Sequence, residues 1–287
     1  MVKPIKDMGA SVRARLLAIA RAGGQPFDVL LTRFALERLL YRLSVSPHAD
    51  RFVLKGAMLL MAWLDEPHRP TRDLDLLGFG DPDPEGLLEI FRDVMSSGGD
   101  DGVAFEPATL RHEPIREDND YGGLRLKARA RVGGAQLAIV VDIGFGDALE
   151  PGDEIIEYPA MLGFPPPRLR AYAPETVIAE KFEAMVSLGH ANTRLKDYYD
   201  IWILSRIFSF DDHRLARAIV ATFNRRGTAL PKTLPDALTN DFGRDPRKEQ
   251  QWRSFVENAA IDPGSLPETV SSLAAFLMPH ADAARIR

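Results

Sequence analysis

Two alternating segments joined by a glycine pair constrain the fold of the first half of the chain. Residues 123–132 alternate small or apolar side chains with basic ones, and residues 135–144 continue the period of two. Gly133-Gly134 between them is a strong signal for a tight β-hairpin. The two segments are therefore predicted to pair as antiparallel strands, with four basic side chains on one face: Arg125, Lys127, Arg129 and Arg131.

Helical periods surround this hairpin on the N-terminal side. Residues 11–46 predict two amphipathic helices separated by Gly23-Gly24, and the apolar run 52–64 predicts a buried helix. A further helix is expected at 84–96, and short strands are expected at 74–79 and 104–107. This part of the chain thus combines a sheet with flanking helices.

The C-terminal part has a different pattern. After Pro151 the composition is typical of loops, and beyond the three prolines at 165–167 every strong period is helical. We therefore expect an α+β protein, in which residues 1–165 form a domain with a mixed sheet and residues 166–287 form a helical domain. The predicted C-terminal helices span residues 174–188, 193–207, 212–222, 248–259 and 266–277.

Composition excludes several classes of function. The 36 basic and 41 acidic residues give a net charge of −5, so any binding of nucleic acid must be local. The absence of cysteine excludes disulfides, zinc–thiolate sites, iron–sulfur clusters and thiol nucleophiles. Arg13 and Arg15 interrupt the apolar part of the N-terminus, and no stretch is long enough to span a bilayer, so a cytoplasmic protein is expected.

Three aspartates are the first candidates for chemistry. Asp73 and Asp75 are two residues apart in a predicted strand and share one face, where their charges repel unless a cation lies between them. Asp142 lies inside the apolar run 137–143, where an unpaired acid is costly to bury. Oxygen ligands suit Mg²⁺ or Mn²⁺, and three carboxylates on adjacent strands could hold cations around a triphosphate. The alternative for Asp142 is a solvent-facing strand end or a pair with an arginine of the 125–131 segment.

A second group of charged residues lies on predicted helices. Lys181 follows Glu180 on a helix with its own apolar face, and Asp197 and Asp200 share one face of the next helix. Taken alone, these residues also fit a surface salt-bridge network.

In combination these motifs resemble the AbiEii/AbiGii (MenT-like) toxin nucleotidyltransferases over roughly residues 10–230. The matching segments occur in the family's order. They are Lys55-Gly56-Ala57, Arg69-Pro-Thr-Arg-Asp73-Leu-Asp75, Val141-Asp142-Ile143, Pro174-Glu175-x4-Glu180-Lys181 and Arg194-x-Lys196-Asp197-Tyr198-Tyr-Asp200.

The resemblance implies a nucleotidyltransferase-like sheet followed by helices that complete the active site, and a toxin paired with an antitoxin from a neighbouring gene. It implies transfer of a nucleotide from an NTP to an acceptor, the 3′ end of tRNA in well-studied members. It assigns Asp73 and Asp75 to the metal, Asp142 as third acid, Lys181 to the triphosphate and Asp200 as a candidate base. Further predicted NTP contacts are Lys55, Gly56, Thr71, Arg72 and Lys196.

Two features depart from the family pattern: Ala57 stands where the second glycine of Lys-Gly-Gly is usual, and Thr71 stands where many relatives have serine. A metal-dependent phosphodiester hydrolase remains an alternative because the same carboxylates could activate water, and the Ala57 departure supports an NTP-binding protein without turnover as a second one. For the RNA, residues 214–232 carry five basic and no acidic side chains, and we predict that Arg225 and Arg226, in an expected exposed loop, contact its phosphates.

Overall fold

The computed structural model describes residues 7–64, 71–115, 123–257, 259 and 261–286. Its first helix, α1 (Met8–Gly23), begins where the Asp7 side chain accepts a hydrogen bond from the Ala10 amide. It ends at Gly24, whose φ of 64° is left-handed and suits glycine. A second helix, α2 (Phe27–Ser44), follows directly, so the predicted helix pair is confirmed.

A mixed sheet forms the centre of the N-terminal half, and seven of its strands lie in the described part of the chain. Their spatial order is β3-β4-β5-β2-β1-β7-β6. The pairs β1–β2, β3–β4 and β4–β5 are antiparallel, whereas β2–β5 and β1–β7 are parallel. In chain order the elements are β1 (Phe52–Lys55), α3 (Gly56–Leu64), β2 (Leu74–Gly78), α4 (Pro84–Ser96), β3 (Val103–Ile115), β4 (Gly123–Val132), β5 (Ala135–Phe145), β6 (Asp153–Glu157) and β7 (Arg168–Tyr172).

Helices follow this sheet, as the predicted fold class requires. Proline occupies the first turn of several of them, where its missing amide hydrogen costs nothing, and Ser265 with Glu268 forms a capping box at the start of the last one. They are α5 (Pro174–Leu188), α6 (Leu195–Ile207), α7 (Asp212–Arg226), α8 (Asn240–Gly243), α9 (Pro246–Val256) and α10 (Leu266–Arg285). No helix of the described residues is long and apolar enough to cross a bilayer.

The hairpin of β4 and β5 separates two faces of the sheet. The inward side chains of β4, from Leu124 to Val132, are buried, and α1, α2 and α4 pack against strands of this region. Gln136 and Ala138 point to the other face and are exposed. One face of the sheet is therefore covered by helices, and the opposite face of β3–β5 is open to solvent.

The described residues form two packing units. The first comprises residues up to 64, 71–146 and 155–171, and it contains most of the sheet with α1–α4. The second comprises residues 147–154 and those from 172 onward, and it contains α5–α10. The predicted division at residue 165 into domains 1–165 and 166–287 stays a prediction.

The sequence-based assignment was wrong at three strands. Residues 52–55 form β1 and not the start of a helix, because the strand lies between β2 and β7, where side chains on both faces are apolar. Such a run cannot be distinguished from a buried helix by its period. The β6 and β7 strands were missed because the prolines around them indicated a loop, although Arg168–Tyr172 alternates polar and apolar side chains at its start.

Candidate active site

Strand register brings three aspartates together. Asp75 in β2 lies directly opposite Asp142 in β5, and Asp73 precedes Asp75 by the two residues that keep both on one face. One carboxylate oxygen from each of the three lies within 4.8 Å of the others, and all three side chains are half-buried. Among the described residues this is the one group of three or more acidic or histidine side chains spaced to hold a metal ion.

Gly56 makes room for Asp75. Its φ is 71°, and a Cβ at this position would lie 2.0 Å from the Asp75 Oδ2 atom, which no side chain could tolerate. The neighbouring Ala57 is buried in α3 and is not among the described residues with positive φ. The first glycine of the Lys-Gly-Ala segment is therefore required by the site geometry, and the departure at Ala57 introduces no backbone strain.

Thr71 and Arg72 flank the first aspartate differently. The Thr71 hydroxyl is buried and donates a hydrogen bond of 2.8 Å to Asp73 Oδ1, so it orients that carboxylate. The Arg72 side chain is 70% exposed and forms an ion pair with Asp28 at 3.0 Å. Lys55 lies opposite Asp75 in the β1–β2 register. Roles of these three residues in NTP binding stay predictions, and Arg69 lies outside the described residues.

Arg125 is a residue of this site that the sequence suggested only as an alternative partner of Asp142. It lies opposite Asp142 in the β4–β5 register, and its Nε and Nη2 atoms donate hydrogen bonds of 2.7 and 2.6 Å to the two carboxylate oxygens. These hydrogen bonds raise the pKa of Arg125 above its usual value. Asp142 is thus both paired with an arginine and a member of the acidic triad, because one carboxylate can face two neighbours.

The donor set fits a hard divalent cation. Every ligand atom is a carboxylate oxygen, and Arg125 forms an ion pair with Asp142 at one side of the group. Like charges at this distance favour binding of a cation or uptake of a proton. Carboxylate oxygens suit hard ions such as Mg²⁺, Mn²⁺ and Ca²⁺.

The second predicted group, in the other packing unit, is an ion-pair network. Lys181 Nζ lies 2.5 Å from Asp197 Oδ1 and 2.9 Å from Asp200 Oδ2, and Arg194 Nε lies 2.8 Å from Asp197 Oδ2. The Lys181 side chain is 12% exposed and that of Asp200 only 1%. The predicted ion pair between Arg194 and Asp197 is therefore confirmed, but Lys181, Asp197 and Asp200 are largely buried and do not form the surface network that the sequence suggested. Lys196, on the same helix, is exposed.

The expectation of an exposed loop at Arg225 and Arg226 was wrong. Both residues belong to the last turn of α7, which ends at Gly227 with φ 66°. The Arg226 side chain is 19% exposed, and its guanidinium contacts Glu183 at 2.9 Å, Asp147 at 3.3 Å and Glu180 at 3.6 Å. Burial opposes its charge, but these carboxylates raise the pKa of Arg226 above its usual value. A phosphate would have to displace these carboxylates from Arg226, and RNA contacts by Arg225 and Arg226 stay predictions.

The sequence of this chain matches one known protein family. The family model described as nucleotidyl transferase AbiEii toxin of a type IV toxin–antitoxin system matches residues 38–276, a range that contains the triad, Lys181 and Asp200. A comparison with curated proteins gives no match.

Two solved structures share the fold. JHP933 from Helicobacter pylori is 18% identical with a TM-score of 0.52, covering 90% of this chain and 93% of its own. A proposed nucleotidyltransferase from H. pylori is also 18% identical with a TM-score of 0.50, covering 90% of this chain and 96% of its own. At this identity the likeness shows the fold alone, whereas the family model spans most of the chain. The chain therefore belongs to the AbiEii nucleotidyltransferase toxin family.

Proposed function

We propose that this nucleotidyltransferase moves a nucleotide from an NTP to the 3′ end of an RNA, namely tRNA, in a metal-dependent reaction. The observation that carries the proposal is the triad Asp73, Asp75 and Asp142, whose oxygens lie within 4.8 Å of one another on adjacent strands. As the toxin half of a pair, the protein would be neutralised by a cognate antitoxin encoded by a neighbouring gene.

The triad would hold Mg²⁺, or Mn²⁺ in its place. When bound, such an ion neutralises phosphate charge and helps to orient an NTP for in-line displacement. The chain's own contribution is to hold the carboxylates still. Thr71 donates to Asp73, the missing side chain of Gly56 leaves space for Asp75, and Arg125 holds Asp142 through both of its oxygens.

In the proposed reaction the acceptor hydroxyl oxygen forms a bond to the α-phosphorus. The bond from the α-phosphorus to the oxygen bridging to the β-phosphate breaks, pyrophosphate leaves, and the hydroxyl proton passes to a base. By the family resemblance, Asp200 is the proposed base. Lys181, with Lys55 or Arg72, would neutralise the charge that develops on pyrophosphate.

The remaining predicted contacts, Gly56, Thr71 and Lys196, complete the proposed NTP-binding set. Of these, Gly56 and Thr71 have a defined effect on the carboxylates, and Lys196 has an exposed ammonium that a polyanion can reach.

The proposal is tested by incubating purified protein with each labelled NTP, Mg²⁺ and total RNA, and by resolving the products on a gel. We expect label in the tRNA band, release of pyrophosphate, and loss of both with EDTA. RNA cleavage without labelling would favour a phosphodiester hydrolase, and tight NTP binding without product would favour a protein without turnover. A labelled protein or small molecule would overturn the RNA acceptor.

Two variants test the roles assigned to Lys181 and Asp200 separately. Lys181→Ala should slow transfer by two to four powers of ten, mainly through use of the NTP, if its ammonium stabilises charge in the transition state. Asp200→Asn should slow the attack while NTP binding persists. If either variant only lowers the melting temperature, the Lys181–Asp197–Asp200 network is structural.

A further inference from the structure

A line of basic side chains begins at the acidic triad and runs along one strand. Arg125, which binds Asp142, is followed on the same face of β4 by Lys127, Arg129 and Arg131. Side chains on one face of an antiparallel strand repeat every ~6.8 Å, so the line is ~20 Å long. We call these four residues the β4 ridge.

The ridge faces solvent. Arg129 and Arg131 are exposed, and so are their β5 neighbours Ala138 and Gln136, which lie directly opposite them. On the β3 side, Arg111 lies opposite Lys127 and is also exposed. The helices that pack against this sheet lie on the other face, where the alternate residues of β4 are buried.

The charge of this face differs from that of the whole protein. Along β3–β5 this face carries five basic side chains, the ridge and Arg111, and three acidic ones, while Asp73 and Asp75 lie beyond the end of the ridge, at β2; the chain as a whole has a net charge of −5. The acidic side chains are Glu106, Glu113 and Asp142. The excess is positive and local, which is the distribution expected of a surface that contacts phosphates in an acidic protein.

Two ion pairs of the ridge are partly exposed and can be exchanged for contacts with phosphate. Lys127 contacts Glu113 at 2.6 Å with side chains 31% and 46% exposed, and Arg131 contacts Glu106 at 2.5 Å with side chains 57% and 20% exposed. Exposed pairs of this kind contribute little to stability. Arg226, by contrast, contacts Glu183, whose side chain is 1% exposed. The ridge can thus give up its pairs, whereas Arg226 would leave a buried carboxylate without its cation.

From the alignment of the ridge with the triad we propose that it binds the phosphates of the acceptor RNA, along the nucleotides that precede the reacting 3′ end. This inference rests on the proposed function, because it takes the acceptor to be RNA. It replaces the end of α7 by β4 as the main phosphate-binding surface. Arg125 at the start of the ridge would then lie between the RNA path and the carboxylate that it orients.

The test compares two triple variants with equal loss of charge. Lys127→Gln, Arg129→Gln and Arg131→Gln together neutralise the ridge and spare Arg125. The control combines Arg13→Gln, Arg21→Gln and Arg92→Gln, which are exposed residues of α1 and α4 on the helical side of the same unit. Binding of a labelled tRNA pool is measured by filter retention over a range of salt concentrations, and binding of NTP is measured separately without RNA.

We expect the ridge variant to bind tRNA at least tenfold more weakly at low salt. The slope of log affinity against log salt should flatten by about 2, since each lost contact with a single strand removes about 0.7. NTP binding and melting temperature should match the wild type, and the control should keep most of the wild-type slope.

Three results would overturn the proposal, and they separate it from the proposed function. If the wild type labels tRNA and the ridge variant keeps its salt slope, the RNA path lies elsewhere and the proposed function stands. If the wild type neither binds nor labels tRNA, the RNA acceptor and the ridge proposal fail together. If the variant loses binding of the antitoxin but not of tRNA, the ridge is a protein interface.

Discussion

Two clusters in this molecule have the same composition, three carboxylates and one arginine, but different arrangements. In the first, Asp73, Asp75 and Asp142 lie on neighbouring strands, and Arg125 binds Asp142. In the second, Arg226 contacts all three carboxylates: Asp147, Glu180 and Glu183.

The position of the arginine determines what each cluster can do. Arg226 contacts each of its three carboxylates, so one guanidinium bridges all of them and the group acts as a structural salt bridge. Arg125 lies at one end of its cluster, paired with Asp142, while Asp73 and Asp75 also present oxygens within 4.8 Å of that residue. The first cluster is therefore spaced so that it could hold a metal ion, whereas the second is a salt bridge around a largely buried guanidinium.

The largest expected effect comes from removing a charge from the first cluster. Asp73→Asn or Asp75→Asn should lower the rate of transfer by about 10³-fold, the upper range for loss of one group that stabilises the transition state. The melting temperature should stay the same or rise, because repulsion between like charges is relieved. Rates are measured with saturating labelled NTP. Asp147→Asn in the second cluster is the matched control and should keep near-normal turnover; equal losses at both clusters would refute the distinction.

A smaller effect is expected from removing each arginine. Arg226→Ala should destabilise the fold by about 2 kcal/mol, somewhat less than for a fully buried pair, because it leaves Glu183 without its cation. This corresponds to a loss of roughly 4–8 °C in melting temperature.

Arg125→Ala should change stability by less than about 1 kcal/mol, since the side chain is 40% exposed. The rate of nucleotide transfer by this variant should fall about 10- to 100-fold, because Asp142 is no longer oriented by Arg125. Thermal melts and transfer assays on both variants measure these effects. A large loss of stability in Arg125→Ala, or a large loss of transfer rate in a folded Arg226→Ala, would contradict the prediction.

A third comparison concerns a buried pair with one carboxylate and one arginine, where the expected effect is on the pH dependence of stability only. Glu37 is fully buried beside Arg38, and burial raises the pKa of Glu37 to about 7, although Arg38 opposes the shift. The native state thus keeps a proton that the unfolded chain releases near pH 4.5. Stability should therefore fall between pH 4.5 and 7, by at most about 3 kcal/mol. Glu37→Gln, whose amide oxygen can still accept from Met161, should flatten this decline in urea titrations.

The exposed Glu89 provides the control for that pH dependence. Glu89→Gln should leave the decline in stability as it is in the wild type. If Glu37→Gln also leaves the decline in stability unchanged, a different group binds the proton, and the Glu37–Arg38 pair does not cause the pH dependence.

Much of the first cluster could be predicted from the sequence. The i, i+2 spacing of Asp73 and Asp75, the acid inside the β5 run and the Gly133-Gly134 hairpin indicate which carboxylates share a face. The β1 strand was beyond such reasoning, because its apolar run has no period that separates a central strand from a helix. Gly56 was recognised as part of a motif, but its contact distance to Asp75 depends on the β1–β2 register.

The sequence by itself determined the alternation of β4, the helical C-terminal half and the spacing of Asp73 and Asp75 on one face of a strand. These features depend on neighbours within a few positions, where periodicity and turn chemistry decide the conformation. Only the tertiary structure decided which arginine is bound and which is exposed. Arg226 meets Asp147 across 79 positions and Glu183 across 43, and no local pattern encodes such distances. The basic strand and the basic helix end carry similar charges in the sequence, and packing alone made one a surface and the other a salt bridge.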